Sequence, residues 1–199
     1  MASELYVETL KGLTSGANAN KVIIPSGQTL DIAGSWSPPA GTVLQVVRAF
    51  KDTQTAFGSG GFTWIDTGLE GAITPSSTSS KILIMLSFAG YTAADTQDNN
   101  FRLKYSTDGK STSAIVNPST NANSGDGFNI FPKVRGGMST NGGARYNYTT
   151  LHSPNTTNQV DYWMQGISEG TFYFNEASQV GQDRFGSTVS EIILMEIAG

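Results

Sequence analysis

The chain has 199 residues, room for one domain or one domain with a short appendage. Twelve Lys and Arg stand against 16 Asp and Glu, a net charge of -4, and there is no Cys; this excludes a disulfide framework, thiolate metal sites, Cys nucleophiles and the basic stripe that nucleic acid requires. Ser, Thr, Asn and Gln supply 65 residues and Gly another 23, yet 38% of the chain is hydrophobic, too much for a wholly disordered polymer and with no run of the roughly 20 apolar residues a membrane helix needs.

The opening MASELYVETL lacks the charged, apolar and small-residue zones of a signal peptide, which reads against Sec secretion. Residues 3–13 fit a short helix capped by Ser3 and an extended strand equally well. From Lys21 the signals are those of strands. KVIIP (21–25) is a β-branched run stopped by the turn cluster Pro25-Ser26-Gly27, and QTLDI (28–32) alternates with Leu30 and Ile32 on one face. Two pieces this short cannot bury a core alone. The stretch Ala33–Gly41, rich in Gly, Ser and Pro, reads as a linker. This divides the chain into an N-terminal segment, 1–40, and a main domain, 41–199.

The main domain reads as about ten short strands, drawn from eleven runs separated by turns. They are VLQVVRAF (43–50), FTWIDTGL (62–69), the short run 72–74, KILIMLSFAGY (81–91), FRLKY (101–105), 113–116, FNIFPKV (128–134), ARYNYTTL (144–151), QVDYWMQGI (159–167), GTFYFN (170–175) and TVSEIILMEIA (188–198). Thr107-Asp108-Gly109-Lys110 has the composition of a hairpin tip. The near-continuous apolar run 81–91 predicts a strand covered on both faces. Many short strands at close spacing predict an all-β antiparallel sandwich of jelly-roll type. The last strand is apolar on both sides: Ile193, Met195 and Ile197 share one face, Ile192 and Leu194 the other. A sandwich strand needs only one apolar face. We therefore expect Ile192, Ile193, Leu194, Met195 and Ile197 to form an interface with identical subunits, with an internal loop or the N-terminal arm as the other possible cover.

Little in the sequence points to catalysis. His152 is the only histidine and lies in a turn-like Thr-Leu-His-Ser-Pro context with no third group to orient it. No Gly-x-Ser-x-Gly elbow occurs. The glycine clusters Gly58-Ser59-Gly60-Gly61 and Gly125-Asp126-Gly127 continue into neither a dinucleotide nor a phosphate-loop fingerprint. Asp95-Thr96-Gln97-Asp98-Asn99-Asn100 is oxygen-rich but lacks the spacing of a calcium loop, so it reads as a solvated β-loop. Glu169 and Glu176 flank a strand and stand too far apart, roughly 23 Å at strand rise, for a glycosidase pair. ARYNYTTL alternates Arg145, Asn147 and Thr149 with Tyr146 and Tyr148; tyrosines facing out would suit a carbohydrate, and tyrosines facing in would be core. No motif calls for a cofactor or a metal.

Four segments, 9–32, 41–50, 67–86 and 187–199, resemble the virion fibre proteins of tailed bacteriophages, especially those of marine bacteria and cyanobacteria. The tokens SGQTLDI, ITPSSTSSKILI and LMEIAG carry the likeness, which covers both ends and the first half of the main domain. The resemblance implies a homotrimer with an attachment or stalk segment at residues 1–40, a knob like the tumour-necrosis-factor jelly rolls, and a place in the virion. It carries no catalytic residues.

The expected task is adhesion to a host-surface carbohydrate, without nucleic acid or membrane insertion. Residues 1–40 would join other virion proteins. The candidate receptor loops are Asp95–Asn100, Asn121–Gly127 and Ser139–Ala144, represented by Asp95, Asp98, Asn99, Asn100, Asn121, Asn123, Asp126, Asn141 and the adjacent Arg145. Each is polar and lacks residues to pack. The competing functions are a capsid-decorating or head-fibre protein without a receptor, and a polysaccharide depolymerase.

Overall fold

The computed structural model of the chain describes residues 14–17, 19, 21–23, 25–29, 38–58, 63–92, 99–116, 144–176 and 188–199. The chain divides into two compact units, Met1–Ser37 and Pro38–Gly199. In the first, the expected turn is present: Gln28 N donates to Pro25 O at 3.1 Å, and Gly27 takes φ +82°. A positive φ at the third residue of a turn is the geometry glycine accepts without steric cost. The described residues of the two expected strands, 21–23, 25 and 28–29, are not in strands, and Val22 and Ile23 are exposed. The alternatives for residues 3–13 lie outside the described residues.

Among its described residues the second unit contains ten strands and no helix. They are β1 (Val43–Lys51), β2 (Thr55–Phe57), β3 (Ile65–Ile73), β4 (Lys81–Thr92), β5 (Asn99–Ser106), β6 (Ala114–Ile115), β7 (Ala144–His152), β8 (Val160–Ser168), β9 (Phe172–Phe174) and β10 (Ser190–Ile197). The sequence-based strand at 128–134 lies outside the described residues. The first sheet runs β1-β10-β4-β9-β2, with β7 on β4; the second runs β3-β8-β5-β6. Every pairing is antiparallel.

With the three-residue strands β2 and β9 set aside, eight strands remain. Numbered in chain order, they give sheet orders 1-8-3-6 and 2-7-4-5. This is the jelly-roll arrangement, so the fold expected from the sequence is the one observed.

The core lies between the sheets and follows from the period-two alternation of each strand. Ile82, Ile84, Leu86 and Phe88 of β4, with Ile192 and Leu194 of β10, meet Leu69 and Ile73 of β3, Phe101 and Leu103 of β5, and Tyr162 and Met164 of β8. One end is aromatic: Phe57, Phe88, Phe101, Phe172 and Phe174 have ring centroids 4.7–6.0 Å apart. Two glycines make room for it. A Cβ at Gly90 would come within 2.5 Å of Phe172, and one at Gly166 within 2.3 Å of Phe57.

Two sequence readings need correction. β4 is covered on both faces only from Phe88 onward; before that it alternates, with Met85 exposed. The runs 62–69 and 72–74 are one strand, β3, whose register shifts between Asp66 and Glu70. Gly68, at φ +78°, sits in that shift, and such a bulge breaks the alternation that periodicity reads.

Candidate functional site

The two outward faces of the sandwich and one buried carboxylate hold the chemistry of this molecule. On the first sheet, the register builds rows across four strands. Val46 pairs with Met195, Met195 with Leu83 and Leu83 with Leu151, an apolar row from edge to edge. The next row is Arg48, Ile193, Met85 and Thr149; beyond it come Phe50, Glu191, Ser87 and Asn147. Val46 is 56% exposed, Phe50 59% and Leu151 46%, values high for such large apolar side chains. Arg48 Nε lies 2.8 Å from Glu191 Oε2. A shallow cleft of about 290 Å³ crosses this face between Met85, Ser87, Asn147, Thr149, Glu191 and Ile193.

The five expected interface residues of the last strand separate on the structure. Ile193, Met195 and Ile197 lie half-exposed on this outward face. Ile192 and Leu194 point the other way, are buried in the sandwich core and are unavailable to a partner. The core covers the Ile192 and Leu194 side of β10, and Ile193, Met195 and Ile197 make up the apolar side left outward.

The candidate receptor residues also divide. Asn99 begins β5 and is buried; its Oδ1 accepts from Ser168 Oγ at 2.6 Å, so it is not a loop contact. Asn100 follows it in the strand, half-buried. Arg145 is exposed at the start of β7, where Nη1 donates to Ser87 Oγ (2.8 Å) and Nη2 to Val189 O (3.0 Å); it belongs to the first sheet's outward face. Asp95, Asp98, Asn121, Asn123, Asp126 and Asn141 lie outside the described residues.

His152 ends β7 rather than standing in a free turn. It is buried, with Nδ1 2.8 Å from Tyr162 Oη and its ring 4.3 Å from that of Tyr105. Burial lowers its pKa to about 4, which keeps the ring neutral at neutral pH. Tyr146 and Tyr148 pack against the core, which decides the alternation in ARYNYTTL in favour of core tyrosines with Arg145, Asn147 and Thr149 outward. Among the described residues, no group of three His, Cys, Asp or Glu side chains could hold a metal ion.

Glu196 is the residue that sequence reasoning missed. It is buried on the core-facing side of β10. Oε1 accepts from Ser76 N, Ser76 Oγ and Ser80 Oγ, each at 2.7 Å, and Oε2 accepts from Gln45 Nε2 at 2.6 Å. Gln45 reaches it because β1 shifts register between Val43 and Gln45. Burial pushes this carboxyl up, but the four donated hydrogen bonds outweigh burial and hold it below the usual carboxylate range. The clamp joins two of the tokens quoted above: Ser76 and Ser80 belong to ITPSSTSSKILI, Glu196 to LMEIAG.

The second sheet's outward face is polar and aromatic. Arg102 Nε donates to Gln165 Oε1 at 2.7 Å, and Gln165 Nε2 donates to Asp66 Oδ1 at 2.6 Å. The Arg102 guanidinium lies 4.2 Å from the centre of the Trp64 ring. Lys104 and Lys110 lie 5.6 and 5.2 Å from that of Trp163, and Lys110 is ion-paired to Glu70. These residues come from segments far apart in sequence, and only the β3–β8–β5 register assembles them.

No protein-family model matches the chain, and no curated protein matches it. Among solved structures, it is similar to infectious bursal disease virus Gt strain at 10% identity and TM-score 0.44, over 88% of this chain and 43% of that one. It is also similar to the Gx strain of that virus (9% identity, TM-score 0.35, over 89% and 46%) and to its VP2 subviral particle (10% identity, TM-score 0.32, over 88% and 46%). The chain spans less than half the length of each of these.

Proposed function

We propose that this chain is a non-enzymatic structural protein of a tailed-phage virion, a homotrimeric fibre or spike whose jelly-roll knob adheres to the host surface. The observation that carries the reading is the row Val46-Met195-Leu83-Leu151 on the outward face of the first sheet. An exposed apolar row that crosses four strands of the first sheet marks a face that another surface covers, and covering it contributes about 1.5–3 kcal/mol per large side chain. Symmetric self-association covers it on each copy at once. The threefold order, the virion and the role of residues 1–40 as the attachment segment come from the resemblance of the sequence to phage fibre proteins. Three sites on one rigid assembly raise weak contacts to useful avidity, because after the first binds the others act at high effective concentration.

The test is sedimentation of the purified protein with labelling of the virion. The reading expects a trimer, and label at a fibre or spike. A monodisperse monomer refutes it; label spread over the head surface instead supports the decorating alternative. A chain starting at Gly41 should keep the folded knob and fail to enter virions.

A further inference from the structure

At one corner of the second sheet's outward face, two polar side-chain atoms are shut off from solvent without a hydrogen-bond partner among the described residues. They are Trp64 Nε1, a donor, and Asn100 Oδ1, an acceptor. Buried polar atoms are almost always paired, so each such atom calls for an explanation. The register places the two near each other. Ile65, which follows Trp64, pairs with Gly166, and Asn100 pairs with Ile167, so both flank the same end of β8. The Arg102 guanidinium over the Trp64 ring shows that the indole leans across β8 toward β5, the strand that carries Asn100.

The corner is also prearranged. The chain Arg102, Gln165, Asp66 fixes three side chains beside it. Charges near the corner are offset, Arg102 by Asp66 through Gln165 and Lys110 by Glu70, which favours a neutral ligand. An unpaired donor beside an unpaired acceptor, next to an aromatic ring on a neutral surface, matches hydroxyl groups on an apolar-faced ring.

We propose that this corner is a subsite for a neutral saccharide unit, whose hydroxyls accept from Trp64 Nε1 and donate to Asn100 Oδ1. The sugar enters by breaking the Arg102–Gln165 hydrogen bond and turning the guanidinium off the indole; Gln165 stays held by Asp66, and the apolar face of the sugar takes the uncovered ring. The proposal rests on the adhesion reading: a trimer joined through the first sheet leaves the second sheet's outer face toward the exterior.

The test follows the indole N–H resonance of Trp64 in the full-length protein during titration with maltotriose and with the trisaccharide of N-acetylglucosamine. Sialyllactose serves as the acidic control. A saturable shift with a neutral probe is expected. Trp64→Phe and Asn100→Leu, with binding of the same probes read by titration calorimetry beside the wild type, should each weaken that binding about tenfold while melting at or above the wild-type temperature, since each removes an unpaired buried atom. No saturable shift with either neutral probe, a shift with the acidic control alone, or undiminished binding by both variants overturns the subsite. Adsorption to host cells separates the two readings. If the wild type and both variants adsorb equally, adhesion stands and the subsite falls. If the wild type binds the probe but adsorbs to no host cell, the subsite stands and adhesion falls.

Discussion

Across the first sheet, Val46, Met195, Leu83 and Leu151 form an apolar outward row; across the second, Asp66, Gln165 and Arg102 form a hydrogen-bonded one. Both rows arise from the same period of two, and both face away from the core. The polar row finds its partners within the sheet, through amide, guanidinium and carboxylate. The apolar row is covered there only on its flanks by neighbouring side chains, and Val46 and Leu151 stay exposed. A face that satisfies itself can remain in water and meet a soluble ligand, whereas a face that cannot is completed by another surface.

The sharpest way to break this comparison uses neighbouring residues of β10. Ile192 is fully buried, and Ile192→Asp should unfold the domain, costing roughly 4 kcal/mol or more for an unpaired buried carboxylate. Ile193→Asp should keep the fold and abolish self-association. Near-ultraviolet circular dichroism reads the first outcome and sedimentation the second. Equal unfolding by both would erase the distinction between the faces.

Glu196 inverts the expected order on the same strand, a carboxylate inside with Met195 outside. Glu196→Ala leaves Ser76 N and both serine hydroxyls without their acceptor, leaves Gln45 Nε2 only Thr74 O, and should cost on the order of 3 kcal/mol, measured as a shift of the urea midpoint. Since the folded carboxyl is held below its ordinary range, its contribution is present above the unfolded carboxylate pKa and is lost as pH falls through the folded one.

His152 joins the two sheets from the inside through Tyr162. Its folded pKa of about 4 lies below the ordinary 6.5. Stability is therefore full above pH ~6.5 and declines as pH falls toward 4, by up to roughly 3 kcal/mol. In His152→Phe that slope should vanish from urea titrations across the same window, whatever the variant's absolute stability. The smallest effect belongs to the self-satisfied face. Gln165→Leu interrupts the Arg102–Asp66 link and should cost about 1 kcal/mol without altering sedimentation. A change in oligomeric state would place the second sheet, too, at an interface.

The strands were legible wherever an apolar or alternating run was bounded by turn residues, as in β1, β5, β8 and β10. β2 was not: Thr55–Phe57 is three residues long beside a glycine-rich stretch, too short to show a period. Asn99 looked like loop because Asn favours turns, yet Ser168 supplies the partner that allows it inside. The paired apolar sides of β10 were visible, but which side meets the core depends on Glu196 facing in, and a charged residue reads as outward. The Trp64 corner was illegible for a different reason. Its members lie on three strands, and register across β3, β8 and β5 is a tertiary fact that local sequence does not carry.

The position of β10 bears on how the molecule can be made. It lies between β1 and β4, and β1 has no other strand partner among the described residues. Val43 thus waits for Ile197, and the ribosome must synthesise nearly the whole domain before β1 can be held. Until then, the apolar sides of β1 and β4 stay open on the nascent chain. Such non-local closure is slow, and an unfinished sheet is prone to pair with the wrong chain. Folding is therefore a late event in synthesis, and a chain interrupted before β10 leaves the first sheet without the strand that joins β1 to β4.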